Sequence, residues 1–123
     1  MVYLSKIYTR TGDDGMTQLG DGSSLPKHHP RVASYGTSDE LSSVIGLAIV
    51  GMLEGESAGD AEPRPVTWLR AIQNDLFDVG SDLCVPGEAG EKLRITEDYV
   101  TRLEGWIDEV NEDLEPLNSF VLP

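Results

Sequence analysis

Two dense polar segments lie near the start of the chain, on either side of a short basic stretch. The first runs from Tyr8 to Thr17 and combines hydroxyls, acids and two glycines, and the second runs from Tyr35 to Ser43 and leads directly into apolar sequence. Glycines allow a backbone to bend and to approach a ligand closely. Hydroxyl and N–H groups then supply hydrogen-bond donors, and carboxylates can hold a metal ion or orient those donors. This combination predicts a loop that handles a phosphate or a nucleotide.

The standard phosphate and metal motifs do not describe the first segment. No Gly-Lys-Ser/Thr sequence closes it as in a Walker A motif, and no strand-turn-helix pattern frames it as in a dinucleotide fold. The runs Asp13-Asp14 and Asp21-Gly22 resemble parts of calcium loops, but the other EF-hand ligands are missing. A solvated surface turn is the alternative interpretation, although functional residues concentrate on such loops.

Charge narrows the partners that this chain can bind. Its 123 residues are enough for one domain with one core, and they carry a net charge of −13, from 22 acidic against 9 basic residues. Because binding to DNA or RNA needs a basic face, we expect no nucleic-acid partner. An anionic ligand would need locally concentrated positive charge. The N-terminal third supplies it with Lys6, Arg10, Lys27 and Arg31.

Cysteine content and hydropathy predict the location. Cys84 is the only cysteine, so no intrachain disulfide can form, which is consistent with the cytoplasm. Residues 1–6 lack the apolar segment and cleavage site of a signal peptide. The longest apolar run, residues 44–52, is shorter than the roughly 20 residues that span a bilayer. We therefore expect a cytoplasmic protein without a membrane partner.

Three helices must position these loops, because apolar residues recur at helical spacing in three segments. We predict them from Ser38 to Leu53, from Pro65 to near Pro86-Gly87, and from Thr96, as the cap, to Pro116. Thr37 and Glu40 form a capping box before the first helix, and residues 54–63 form a polar linker. Strand signals are weak. The predicted fold class is all-α, a single domain over residues 1–123 built as an antiparallel helical bundle behind an N-terminal glycine-rich loop.

The apolar positions predict what fills the bundle. Trp68, Phe77 and Trp106 lie on or near the helical stripes and are predicted to be core residues, with Cys84 as a small buried one. The segment 119–123 is apolar and has no closing helix after it. We expect the chain to be cut short or to complete its core with another chain.

Several segments together resemble the PduO-type ATP:cob(I)alamin adenosyltransferases. They are Lys6 to Gly15, Arg31 to Gly46, Ile72 to Leu83, Leu93 to Ile95 and Ser119 to Pro123, and they cover nearly the whole chain in the right order. The resemblance implies a homotrimeric helical bundle that transfers the 5′-deoxyadenosyl group of ATP to the cobalt of cob(I)alamin. The products would be adenosylcobalamin and triphosphate, and a reductase would supply the reduced cobalamin.

The resemblance also implies site residues. ATP and its Mg²⁺ would lie between subunits, and no residue is assigned as a direct metal ligand. The residues implied to surround the nucleotide are Thr9, Arg10, Thr11, Gly12, Asp13, Gly15, Thr17, Gln18 and Lys27, with Asp13 helping to hold the loop or the magnesium shell. Asp39 would pair with an arginine across the subunit interface. Phe120 would crowd the lower face of the corrin ring and exclude its lower ligand.

The chain also departs from the family pattern. Family chains continue past this final proline into a glycine pair and a long helix, whose arginines and glutamate contact ATP and the interface. We therefore expect the 123-residue chain to lack that half of the site. Two other functions stay open. One is a non-catalytic ATP- or cobalamin-binding or escort module, and the other is a purely structural helical oligomer.

Overall fold

A computed structural model describes residues 6–55, 62–88, 90 and 92–121 of the chain. Two short strands pair as an antiparallel hairpin, and three helices follow it. The elements are β1 (Met16–Gln18), β2 (Ser24–Pro26), α1 (Pro30–Gly55), α2 (Arg64–Cys84) and α3 (Glu97–Asn111). The predicted helical fold class is confirmed. The hairpin was not predicted because each of its strands is only three residues long and gives a weak signal in the sequence.

Helix α1 begins at Pro30, earlier than predicted, because proline is well suited to a first helical turn. The predicted capping box is wrong. The Thr37 hydroxyl donates to the Ala33 carbonyl at 3.0 Å, so it is satisfied by the preceding turn of a continuous helix. Three serines of α1 donate in the same way, each to the carbonyl four residues earlier. Asp39 and Glu40 therefore lie inside α1, away from the dipole at its N-terminus.

Helix α2 carries Pro65 in its first turn and ends at Cys84, close to the predicted bounds. It packs along α1. At this contact the Gln73 amide donates to the Ser42 carbonyl at 2.8 Å, and a Cβ added at Gly46 would lie 3.4 Å from the same amide nitrogen. The small residue therefore lets a polar side chain of α2 reach the backbone of α1.

Helix α3 is held against α2 by aromatic and cationic side chains. It follows Thr96, as predicted, although the Thr96 side chain makes no capping hydrogen bond, and it ends before the predicted Pro116. The half-buried Trp68 and Trp106 rings stack with centroids 5.5 Å apart, and the Arg102 guanidinium lies 5.3 Å from the Trp106 centroid. Both tryptophans join the two helices, but they are half-buried and do not belong to the buried core as predicted.

A second contact between the same helices is polar. The Tyr99 hydroxyl donates to the Asp78 carboxylate at 2.8 Å, and this hydrogen bond to a carboxylate raises the pKa of Tyr99. The Arg102 guanidinium of α3 also pairs with the Asp75 carboxylate of α2. Helix α3 therefore contacts α2 through rings and charges, with little fully buried apolar area.

The core is thin among the described residues. Of the side chains that the structure describes, only the apolar Leu19, Ile49 and Val66 are buried. Phe77 is 74% exposed, so its assignment to the core is wrong, and Cys84 is half-buried. The outer faces of α1 and α3 leave many large apolar side chains in contact with solvent, because neither face meets another described helix. No helix that the structure describes is long and apolar enough to cross a bilayer.

Candidate functional site

The first polar segment folds into a compact series of turns. The Asp13 N–H donates to the Arg10 carbonyl at 3.4 Å, and the Gly15 N–H donates to the Gly12 carbonyl at 3.1 Å. The Asp14 carboxylate accepts the Met16 N–H at 3.1 Å, as in an Asx turn. Arg10 and Gly15 both have positive φ, 64° and 87°. The glycine tolerates this conformation without cost, whereas an arginine adopts it only when its surroundings enforce it.

Lys27, the residue directly after β2, closes this turn. Its N–H donates to the Gly15 carbonyl at 2.9 Å. A Cβ added at Gly12 would lie 3.0 Å from the Lys27 Nζ and 2.8 Å from the Met16 carbonyl oxygen. Any larger residue at position 12 would therefore displace the lysine side chain or the strand. Glycine at this position allows an ammonium group to lie directly against the turn.

The turn and the hairpin enclose a cleft of about 510 Å³. The residues that line it are Thr11, Gly12, Met16, Thr17, Gln18, Ser24 and Lys27. Five of these seven are among the nine predicted nucleotide-binding residues, so the structure brings the centre of the predicted set together. The lining offers hydroxyls, one amide and one ammonium group, and it contains no carboxylate. Such a lining suits an anion that accepts hydrogen bonds.

Sequence reasoning missed two members of the cleft. They are Met16 and Ser24, neither of which belongs to the set predicted from the sequence. Ser24 pairs with Gln18 in the register of the hairpin, which brings it to the same cleft. Only recognition of the hairpin between the two segments could have identified it.

The remaining predicted nucleotide residues lie beside the cleft. Thr9 and Arg10 line a neighbouring depression with residues 6–8. The Thr9 hydroxyl is 2.9 Å from the Thr11 hydroxyl, which connects the two depressions, and the Arg10 guanidinium lies 5.4 Å from the centroid of the Tyr8 ring. Asp13 and Gly15 shape the turn and are exposed, outside the lining of the cleft.

Asp21 stabilises the turn that connects β1 to β2. The Asp21 carboxylate accepts the Ser23 hydroxyl at 2.6 Å and the Ser23 N–H at 2.9 Å, and these two hydrogen bonds lower the pKa of Asp21. The Gln18 amide donates to the Gly22 carbonyl at 3.1 Å.

Within the described ranges, no three His, Cys, Asp or Glu side chains form a cluster that could hold a metal ion.

Asp39 and Phe120 lie apart from the cleft. Asp39 belongs to a depression of about 260 Å³ between α1 and α2, and none of the ion pairs among the described residues includes it. The other residues of this depression are Tyr35, Phe77, Gly80, Ser81 and Cys84. Phe120 follows α3 and is fully exposed. The structure therefore presents a polar cleft, an interhelical depression and an exposed ring as three separate features.

Comparison with known proteins identifies one matching family and several similar proteins. A family model described as cobalamin adenosyltransferase matches residues 7–123. A corrinoid adenosyltransferase of Mycobacterium tuberculosis is 45% identical over 125 residues, which cover 99% of this chain and 61% of the relative. The corrinoid adenosyltransferase PduO of Salmonella typhimurium is 40% identical over 119 residues, which cover 95% of this chain and 33% of the relative.

Solved structures resemble the chain in the same way. A variant of a PduO-type ATP:corrinoid adenosyltransferase from Lactobacillus reuteri, complexed with cobalamin and ATP, matches with a TM-score of 0.80 and 31% identity, over 96% of this chain and 63% of that one. A second variant, complexed with ATP, matches with a TM-score of 0.76 and 33% identity, over 95% of this chain and 62% of that one. The chain thus spans about three-fifths of the length of most of these relatives.

Proposed function

The chain belongs to the cobalamin adenosyltransferase family, and from this premise we propose that it serves in the transfer of the 5′-deoxyadenosyl group from ATP to cob(I)alamin. The observation that carries the proposal is the polar cleft in which Lys27 lies against the bare backbone of Gly12. Relatives that are named corrinoid adenosyltransferases, and solved relatives complexed with ATP or with cobalamin and ATP, support it.

The proposed nucleotide site is this cleft together with the adjoining turn. Lys27 would neutralise phosphate charge, and Thr11, Thr17 and Gln18 would donate hydrogen bonds to phosphate oxygens. Gly12 would let the phosphate chain approach the backbone closely. Thr9, Arg10, Asp13 and Gly15 complete the proposed set from the edge of the cleft. Arg10 adds a further positive charge beside the cleft.

The described residues fit a magnesium ion that arrives with the nucleotide. Mg²⁺ is usually held by one or two carboxylates and by substrate phosphates. The exposed Asp13 carboxylate of the turn would help to hold the ion or its water shell. When bound, the ion would neutralise charge on the phosphates.

The reaction itself needs orientation more than acid or base chemistry. Cobalt(I) supplies an electron pair to C5′ of the ribose, the bond from C5′ to the phosphate-bearing oxygen breaks, and triphosphate leaves with the pair of that bond. The cobalamin substrate supplies the nucleophile. The protein would hold C5′ near cobalt and stabilise the leaving triphosphate. We assign Phe120 to the lower face of the corrin ring, where an apolar side chain would exclude water and the lower ligand.

Anaerobic mixing with MgATP and cob(I)alamin tests the function. We expect MgATP to bind to the 123-residue chain in calorimetry. We also expect the absorbance of adenosylcobalamin to appear with a chimera that appends the part of the M. tuberculosis relative beyond the matched region. Binding of MgATP or cobalamin without turnover in either form would favour the escort module instead. A chain that binds neither ligand would favour the structural oligomer.

We further propose that the complete protein is a cytoplasmic homotrimer, in which this chain forms a single domain of each subunit, and that a reductase supplies it with cob(I)alamin. Exposed apolar side chains on the outer face of α1 support assembly, because large exposed apolar patches mark interaction surfaces. Asp39 lies on the same helix and has no ion-pair partner among the described residues. We therefore place Asp39 at the subunit interface.

Replacement of Asp39 tests this assembly. Asp39→Ala should weaken association by at least about tenfold, since loss of one member of an interfacial charge pair leaves its partner unpaired. Glu40→Ala is the matched control, because it removes a neighbouring exposed acid of the same helix. Light scattering over a range of protein concentrations measures the association. Equal effects of the two substitutions, or a monomeric wild type well above micromolar concentration, would contradict the assignment.

A further inference from the structure

Three separate segments of the chain meet at the carboxyl end of α2. The last carbonyls of a helix lack partners within the helix, and they carry the negative end of its dipole. Here donors from elsewhere satisfy them. The Arg31 Nη1 donates to the Leu83 carbonyl at 2.8 Å, the Gly20 N–H donates to the Cys84 carbonyl at 2.9 Å, and the Arg94 Nη2 donates to the Val85 carbonyl at 2.8 Å.

Arg94 makes the largest share of these contacts. Its Nη1 donates to the Asp82 carboxylate at 3.0 Å and to the Asp82 carbonyl at 3.3 Å, and its Nη2 also donates to the Gly87 carbonyl at 2.8 Å. The other Asp82 carboxylate oxygen accepts the Ile95 N–H at 2.8 Å. The Arg94 side chain is only 18% exposed. A guanidinium group suits this position because its planar fork can serve several acceptors at once.

Gly20 connects this junction to the nucleotide cleft. It lies two residues after Gln18, which lines the cleft, and the buried Leu19 separates the two. A Cβ added at Gly20 would lie 2.8 Å from the Val85 Cγ2 and 3.4 Å from the Cys84 Sγ. The hairpin therefore rests directly on the end of α2. The position of the cleft depends on how firmly that end is held.

We propose that Arg94 is a positioning residue for the nucleotide cleft, acting through the carbonyl end of α2 and the hydrogen bond from Gly20 to Cys84. Arg94 lines no part of the cleft. It fixes the backbone on which the hairpin rests, so its loss lets the hairpin separate from α2 more often. Because a loop that is docked only part of the time binds its ligand more weakly, affinity falls with the docked fraction. This inference rests on the proposed nucleotide function of the cleft.

Amide hydrogen exchange of Gly20, without nucleotide, measures the docking directly. Arg94→Ala should lower the protection of the Gly20 amide by about tenfold or more, because loss of charge-assisted hydrogen bonds lowers the cost of this local opening. MgATP affinity, measured by calorimetry on the same samples, should fall by the factor by which the docked fraction falls, about threefold where the hairpin stays docked only one third of the time. Asp82→Asn is the milder variant, which removes the charge that Arg94 contacts and should shift both quantities in the same direction.

Two controls separate positioning from general loss of stability. Val66→Ala lowers the melting temperature from a buried site in the first turn of α2, away from the junction. Arg70→Ala removes an exposed arginine that contacts Glu62. Neither should change Gly20 protection or MgATP affinity. Unchanged Gly20 protection in Arg94→Ala, or equal losses in Val66→Ala, would overturn the proposal. A wild-type chain that binds no MgATP would overturn the proposed function instead, and Gly20 exchange would still report whether Arg94 holds the hairpin.

Discussion

Lys27→Ala should weaken MgATP binding by roughly ten- to a hundredfold, the equivalent of about 1.5–3 kcal/mol for one charge-assisted hydrogen bond. Lys27 supplies the ammonium group of the cleft, and the bare Gly12 backbone lets it lie next to the turn. The Lys27 side chain is exposed, so its truncation should change the free energy of unfolding by no more than about 0.5 kcal/mol. Isothermal titration calorimetry with MgATP measures the affinity, and thermal denaturation checks the fold.

Lys92→Ala provides the matched control for this prediction. It removes the same charge from the chain, but its Nζ donates to the Pro86 carbonyl at 3.1 Å, outside the cleft. Affinity should stay close to that of the wild type. If both lysine variants lose affinity equally, the effect is one of net charge at long range. If Lys27→Ala binds as tightly as the wild type, the cleft is not the nucleotide site.

The helical fold could be predicted from the sequence because apolar spacing records which face of a helix is covered. The pattern placed α2 correctly, since Pro65 and the apolar stripe agree with each other. The predicted start of α1 was wrong because a hydroxyl side chain near a helix can form its hydrogen bond in two ways. A threonine before an apolar run can cap a helix from outside, or it can donate to the preceding turn from inside, as Thr37 does. Spacing alone does not distinguish these uses.

The extent of burial could not be predicted from the same pattern. An apolar stripe predicts that a face will be covered, but it does not say by what. Phe77 lies on α2 and is exposed, because no described helix covers it. Val66, from the first turn of the same helix, is completely buried. The difference between them depends on which helices are present to pack on each face, and that is a property of the tertiary structure.

The candidate site was predictable in its local part alone. Thr11, Gly12 and Thr17 are close in sequence, and a glycine-rich turn brings such residues together without distant contacts. The contribution of Ser24 depends on the register of the hairpin, which weak strand signals did not reveal. The junction at the carboxyl end of α2 depends on hydrogen bonds from Gly20 and Arg31 to the carbonyls of Cys84 and Leu83, which are far from them in the sequence. Long-range hydrogen bonds of this kind leave no periodic trace in a sequence.

Phe120→Ala should lower the rate of adenosylation by on the order of a hundredfold, the scale on which a small misplacement of reacting groups slows a reaction. In the proposed mechanism the ring crowds the lower face of the corrin and excludes the lower ligand of cobalt. A four-coordinate cobalt(II) is easier to reduce to the nucleophilic cobalt(I). Without the ring, water or the lower ligand would return to cobalt. The absorption of four-coordinate cobalt(II), recorded with MgATP present, should therefore fade in the variant.

The exposure of Phe120 makes this prediction sharp. A core phenylalanine costs about 3–5 kcal/mol of stability when truncated to alanine. Phe120 is fully exposed, so its truncation should change the free energy of unfolding by at most about 0.5 kcal/mol. Leu117→Ala is the control, since Leu117 is an exposed apolar residue of the same segment and should leave both rate and spectrum unchanged. The rate and the spectrum of each variant are measured in whichever form catalyses the reaction, the 123-residue chain or the chimera. A Phe120→Ala protein that melts many degrees lower, while its folded fraction keeps full activity and an unchanged cobalt spectrum, would show that Phe120 supports the fold and has no role beneath the corrin.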